Sequence, residues 1–184
     1  VAVDANALGF AGGVETHVFG LAGQSNMQGG APFDGGDDYP EGTVQWGRYS
    51  PNDGVIIQAV DNLEHQGGGE VDSISLAHEF AVQYVAANPG VRILFVPGAR
   101  GGSGFINGWW NKGDTMYEDF VARMNAVFTQ FPGFQLKGIL WHQGEVDSTT
   151  TGGAAVYRDK LEQMILDMRT NIVRAGNDTP FILG

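Results

Sequence analysis

Cysteine is absent from the 184 residues, which removes disulfides, thiolate metal sites and cysteine nucleophiles together. Positive charge is scarce: 10 Lys and Arg stand against 21 Asp and Glu, a formal net charge of −11. The mean field of such a chain repels phosphate, so nucleic acid and an anionic membrane surface are not expected partners. A neutral substrate meets no such barrier. Long hydrophobic runs are missing as well, because no stretch reaches about 18 consecutive apolar residues. The N-terminus lacks the basic region and apolar core of a signal peptide. Its opening, VAVDANALGFAGG, reads as a flexible lead-in, assigned to residues 1–16. Acidity without cysteine leans towards export, so a secreted or periplasmic location is expected.

What the chain does have is glycine, 29 residues of it, falling mostly between apolar runs where loops over a rigid scaffold need positive φ or close backbone approach. HVFGLAG at 17–23 is a short apolar run read as a buried strand, and VIIQAV at 55–60 is another strand candidate. Between them lies a loop rich in Gly, Asp and Pro. SISLAHEFAVQYVAANP at 73–89 carries Leu76, Phe80, Val82 and Tyr84 near helical spacing and ends at Asn-Pro. VRILFVPGA from 91 is the β-branched and aromatic pattern of a strand buried on both faces. A helix follows with Tyr117, Phe120, Val121, Met124, Val127 and Phe128 on one face, then the strand GILWHQG. Leu161, Met164, Ile165 and Met168 mark a further helix, and PFILG one more strand.

Strands separated by helices of ten or more residues need crossover connections, hence a parallel sheet with helices on both faces, a three-layer α/β domain. Ligands of such sheets bind at the carboxyl ends of the strands, so the residues after HVFGLAG, VRILFVPG and GILW should share one crevice. Those positions hold the three unusual segments. GQSNM at 23–27 sets Ser25 at a strand end with a glycine two residues before it. That placement suits a nucleophile with backbone N–H groups close by; equally, Ser25 and Asn26 could cap a helical turn. GARGGSGF at 98–105 brings glycines to the next crevice edge but has neither the lysine nor the spacing of a P-loop. WHQGEVD at 141–147 packs an imidazole, an amide and two carboxylates into one strand end. No HExxH or comparable spacing points to a metal, and the acidic loop DGGDDYPEG at 34–42 is not an EF-hand. Neither a metal nor any other cofactor is expected.

GQSNM, then GGS with a tryptophan a few residues on, then WHQGEVD, in that order and strand context, resemble the sialate O-acetylesterase and acetyl xylan esterase group, carbohydrate esterase family 6, within the SGNH hydrolases. The resemblance covers residues 17–184. It implies a flavodoxin-like α/β/α fold with a parallel sheet and removal of acetyl groups from sugars, without a cofactor, through an acyl-enzyme on Ser25. The oxyanion hole it implies is the N–H of Ser25, the N–H of Gly102, with Gly101 as fallback, and the side-chain amide of Gln143. Glu145 is expected near the catalytic histidine as an orienting group. Asn26, Gln24 and, by position beyond the glycine turn, Trp110 rather than Trp109 are the expected sugar contacts. Ser25 would attack the acetyl carbonyl, the sugar alcohol would leave, and water would release acetate.

The histidine is the gap. The family carries it in a DxxH segment after the last strand, and no DxxH occurs here. Of the histidines at 17, 65, 78 and 142, the first begins the first strand, His65 sits in a polar loop, His78 in a helix, and His142 beside residues that already have roles in the family. The expectation is that a remaining C-terminal segment of the same protein completes the site. The rival readings are a noncatalytic sugar-binding relative and a lipase or thioesterase on the same scaffold.

Overall fold

The computed structural model describes residues 14–32, 38–67 and 73–184; residues 1–13 of the lead-in expected over 1–16 and the start of the acidic loop lie outside them, while Thr16, the last residue of that lead-in, is buried at the start of the first strand. The first strand, β1 (Thr16–Gly23), is buried along its whole length and runs into a four-residue helical turn, α1 (Ser25–Gln28). A two-residue pair of β2 (Ala31–Pro32) and β5 (Ser73–Ile74) stands apart from the main sheet. Then come β3 (Thr43–Trp46), β4 (Ile56–Gln58), α2 (Leu76–Ala87), β6 (Arg92–Pro97), α3 (Thr115–Gln130) and β7 (Gln135–His142). The described chain finishes with α4 (Glu145–Ser148), α5 (Thr151–Asn171) and β8 (Phe181–Leu183).

The main sheet has the order β4-β3-β6-β1-β7-β8 and is parallel except at one edge, where β4 pairs antiparallel with β3. Period-two alternation divides each central strand between two cores. Val18 and Ala22 of β1, Leu94 and Val96 of β6, and Ile139 and Trp141 of β7 face the cluster built on α3 and α5. Phe19 and Leu21, Ile93 and Phe95, and Leu140 face the cluster with Met27, Ala77 and Ala81 on α1 and α2. The three-layer α/β/α architecture is therefore present, with a mostly parallel sheet. The apolar stripe of α3 lies where its spacing put it: Met116, Tyr117, Phe120, Val121, Met124, Val127 and Phe128 are buried. α2 instead buries small residues, Ala77 and Ala81, with His78, and leaves its larger apolar side chains half-buried. Ser75 caps it, accepting from the Ala77 N–H at 3.2 Å.

Topology places the chemistry. β6, β1 and β7 are adjacent and parallel, so their carboxyl ends, which carry the three unusual segments, open side by side. β1 and β7 come very close there: Gly23 has φ +134°, and a Cβ on it would lie 2.1 Å from the His142 carbonyl oxygen, so a side chain at 23 would drive the two strand ends apart. The next N–H, of Gln24, donates to that same carbonyl at 2.9 Å.

Candidate active site

Ser25 opens α1 on the exposed rim of the crevice, and no described residue is hydrogen-bonded to its hydroxyl. It does not cap α1; Gln24 holds that position, without a side-chain cap bond. The wall beside Ser25 comes from the second segment. A Cβ on Gly101 would lie 3.8 Å from Ser25 Cβ, and Gly102, exposed with φ +70°, follows. The N–H groups of Ser25, Gly101 and Gly102 donate to no group among the described residues. Three N–H groups without a partner, on residues beside one exposed hydroxyl, are the donors that a developing oxyanion needs.

The segment turns sharply and is tied down from behind. Ser103, fully buried, donates to the Arg100 carbonyl at 2.7 Å and accepts from Trp110 Nε1 at 2.8 Å. Asn107 braces the turn, its amide donating to the Gly102 carbonyl at 2.8 Å and its oxygen accepting from Gly104 N–H at 2.8 Å. Trp110 is 0 % exposed and packs edge-on against Trp141. It has no face to offer a sugar, which corrects the expectation placed on it: its indole N–H turns inward to Ser103 and the ring fills the core under the loop. Trp109 is the half-buried one, with the Arg100 guanidinium 4.6 Å from its ring centroid.

The third segment joins the first through side chains. Gln143, 5 % exposed, donates from Nε2 to Gln24 Oε1 at 3.2 Å and to Asp147 Oδ2 at 2.7 Å. Gln24 Oε1 also accepts from the Val146 N–H at 3.3 Å, so Gln24, 4 % exposed, ties the two segments where a sugar contact was expected. Asn26 is exposed and its amide donates to Glu145 Oε1, which fixes the carboxylate at the crevice rim. Glu145 Oε2, Gln143 Oε1 and His142 Nδ1 are buried with no partner among the described residues. Tyr157, on α5, donates to the Gln143 carbonyl and accepts from Trp141 Nε1 at 3.1 Å. Burial holds its hydroxyl above the ordinary tyrosine value, so it stays a donor.

No imidazole of the described residues is hydrogen-bonded to Ser25. His17 lies at the opposite end of the sheet, held by Glu15 and Tyr84. His78 contacts the Asp38 carbonyl at 3.3 Å. His65 is not in an open loop as its polar neighbours suggested; it is 0 % exposed, and Nδ1 accepts from the Ala99 N–H at 3.1 Å. Burial, with the nearby Arg48 charge, pushes its pKa down to about 3, so it is neutral at pH 7. Arg48 ties that loop to the sheet: its Nε donates to the Glu64 carbonyl at 3.2 Å, while its other nitrogens grip Asp119 of α3 at 2.9 and 3.1 Å and the Pro97 carbonyl at 2.9 Å. Asp147, Tyr157, Arg48 and Arg100 were not singled out from the sequence. For Asp147 the signal was present, a second carboxylate four residues after Gln143.

A model of the family described as carbohydrate esterase, sialic acid-specific acetylesterase, matches residues 15–184. A probable carbohydrate esterase of Arabidopsis thaliana is 26 % identical over 172 residues, covering 84 % of this chain and 64 % of the relative. This chain thus spans a little under two thirds of that protein's length. Among solved structures, NanS superposes with a TM-score of 0.78 at 22 % identity, covering 92 % of this chain and 67 % of NanS. A crystal structure of an Arabidopsis thaliana protein gives 0.75 at 22 % identity, covering 91 % and 72 %. A carbohydrate acetylesterase from Xanthomonas citri gives 0.59 at 22 % identity, covering 92 % of this chain and 41 % of that one. At these identities the structures establish a shared fold.

Proposed function

The chain belongs to the carbohydrate esterase, sialic acid-specific acetylesterase family, and from that premise we propose that it removes acetyl groups from sugars with Ser25 as nucleophile. The observation that carries the reading is the convergence at one crevice of an exposed serine hydroxyl and undonated N–H groups on Ser25, Gly101 and Gly102. Ser25 Oγ attacks the acetyl carbonyl carbon and passes its proton to a general base. The carbonyl oxygen becomes an oxyanion held by the N–H of Ser25, the N–H of Gly102 and the amide of Gln143. Collapse breaks the ester bond, the protonated sugar alcohol departs, and water then attacks the acyl-serine to release acetate. Since none of the four histidines is hydrogen-bonded to Ser25, this reading draws the base from outside these 184 residues. Glu145, held by Asn26 at the rim, has its second carboxylate oxygen free to orient an imidazole arriving there.

For the sugar, the reading favours a sialic acid over a neutral xylose chain. Arg100 adjoins Gly101, lies over Trp109, and makes no ion pair among the described residues; a guanidinium so placed suits a carboxylate-bearing sugar. The test compares wild type with Ser25→Ala on p-nitrophenyl acetate, O-acetylated sialic acid and the methyl ester of that acid. In protein that includes the segment supplying the base, loss of Ser25 should reduce acetate release on the order of a million-fold, and the free acid should be the better substrate. Equal rates for wild type and Ser25→Ala would remove the serine mechanism, and equal use of acid and methyl ester would remove the anionic-sugar reading. Sugar binding that survives Ser25→Ala in a wild type that turns over no ester would identify a binding protein.

A further inference from the structure

Gln143 presents a chemical problem. An amide has a donor end and an acceptor end of almost the same shape, and only the donor end stabilises an oxyanion. Something must decide which end faces the crevice. The side chain could turn over without any change in packing volume, so packing alone cannot make that decision.

Asp147 can. It is 0 % exposed, and its carboxylate accepts from the Ile106 N–H at 2.9 Å, from the Phe105 N–H at 3.1 Å to each oxygen, and from Gln143 Nε2 at 2.7 Å. An ionised carboxylate only accepts. Facing it, Gln143 has to present N–H, since the turned-over amide would set Oε1 against Asp147 Oδ2. With one amide hydrogen committed to Asp147 at 2.7 Å, the other rests on Gln24 Oε1 at a longer 3.2 Å, on the residue directly before Ser25, and is the one hydrogen that can be given up to a substrate oxygen. The approach is close enough to need glycine at 104: a Cβ there would lie 2.5 Å from Asp147 Oδ2 and 3.1 Å from Gln143 Nε2. The same carboxylate holds the loop that follows Gly102, through Phe105 and Ile106, so one buried group sets the relation between the second and third segments.

We propose that Asp147 is a positioning residue for Gln143, holding Nε2 rather than Oε1 beside Gln24, the residue before Ser25, so that the hydrogen resting on Gln24 Oε1 in the free protein is the one that turns to the oxyanion. This rests on the reading above of Gln143 as an oxyanion donor. Asp147→Asn has nearly the same shape and the opposite consequence. Two backbone N–H groups claim the asparagine oxygen, its NH₂ then faces Gln143, and Gln143 turns over to meet it.

The experiment uses Asp147→Asn, Gln143→Ala and the double variant, with kcat and KM for an acetylated sugar and the side-chain amide signals of Gln143 in ¹H–¹⁵N spectra, identified by their loss in Gln143→Ala. The expected result is a kcat lowered about 10²–10³-fold in Asp147→Asn, the cost of one oxyanion donor, with KM little changed. In the Gln143→Ala background the second substitution should add almost nothing, because the group it orients is gone. The Gln143 amide proton bonded to the carboxylate should lose its downfield position in Asp147→Asn. Effects on kcat that multiply in the double variant, or Gln143 signals that do not move, would overturn the proposal. If wild type shows no Ser25-dependent turnover, the esterase reading has failed separately, and the amide signals alone decide the orienting role. If Asp147→Asn does not fold, the swap Q143E/D147N replaces it, since it restores a donor–acceptor pair while offering the crevice only acceptors. That protein should fold and turn over no faster than Gln143→Ala; a swap as fast as wild type would refute the assignment.

Discussion

The two ends of the sheet use the same kinds of side chain to opposite effect. At the amino end His17 has both ring nitrogens engaged, Nε2 with Glu15 at 2.7 Å and Nδ1 with the Tyr84 hydroxyl at 2.8 Å, and Lys137 stands 3.6 Å from the same carboxylate. At the carboxyl end the histidine, amide and carboxylate of the third segment each keep one buried atom unpartnered among the described residues: His142 Nδ1, Gln143 Oε1 and Glu145 Oε2. Buried polar atoms are nearly always satisfied in native proteins because leaving one unpaired costs about 1–3 kcal/mol. A cluster that serves only stability removes that cost by pairing. A cluster that must receive another group keeps its capacity open and stands on a scaffold stable enough to bear it.

The scaffold under the open end is aromatic, and removing it gives the largest expected effect on the fold. Trp110 is fully buried between the glycine turn and Trp141, so Trp110→Ala should cost about 3–5 kcal/mol as lost burial plus cavity and leave Ser103 Oγ without its indole donor. Urea melts measure this directly. Trp110→Ala should also slow any Ser25-dependent turnover, because Ser103 and Trp110 are what brace the turn carrying Gly101 and Gly102. Ser25→Ala provides the opposite case: the side chain is exposed and unpaired, so its urea midpoint should match wild type. A Trp110→Ala protein as stable as wild type would show that the crevice does not depend on the core behind it.

Much of this arrangement was legible in the sequence. The apolar runs at 17–23, 91–99 and 138–144 became β1, β6 and β7, since central parallel strands are long and buried on both faces and write themselves as continuous hydrophobic text. β3 was missed. TVQW is four residues inside a polar loop, too short for alternation to show, and its strand character comes from pairing with β6 and β4. Ser25, Gly102 and Gln143 were singled out by motif order, and the fold brings their segments to adjacent strand ends. Trp110 was placed at the crevice because two adjacent residues in a loop have no period to say which one faces inward; that is decided by the bond from its indole N–H to Ser103. Asp147 was visible as the second carboxylate of WHQGEVD but without its role, and Arg48 was not visible at all. Their work is to join loops far apart in the chain, Phe105 to Asp147 and Arg48 to Asp119, and no local pattern names those partners.

His65 belongs to neither end and sharpens the contrast by titrating. Burial and Arg48 hold it down to about 3, against an ordinary value of 6.5. The unfolded chain therefore binds a proton below about pH 6.5 that the folded chain refuses until about pH 3, so stability rises with pH across that window. The contribution is complete above 6.5 and is lost as pH falls towards 3, with a slope of at most about 1.4 kcal/mol per pH unit. In His65→Gln the amide oxygen can still accept from the Ala99 N–H, but nothing titrates. Urea midpoints between pH 4.5 and 6.5 should fall more steeply with acid for wild type than for His65→Gln. Parallel curves would mean that His65 is already protonated in the folded protein.

The smallest expected effect tests the opening contrast most directly, by making one substitution at both ends. His17→Phe keeps the ring and strips the Tyr84 hydroxyl of its partner, which should cost about 1 kcal/mol. His142→Phe removes a ring whose Nδ1 has no partner to strand, so the folded state gives up no hydrogen bond there, and stability should stay within about 0.5 kcal/mol of wild type or rise slightly. The Gln24 N–H donates to the His142 carbonyl, which the substitution leaves in place. A His142→Phe loss as large as that of His17→Phe would mean that Nδ1 is satisfied in solution, and the open capacity at the carboxyl end would then be smaller than the geometry implies.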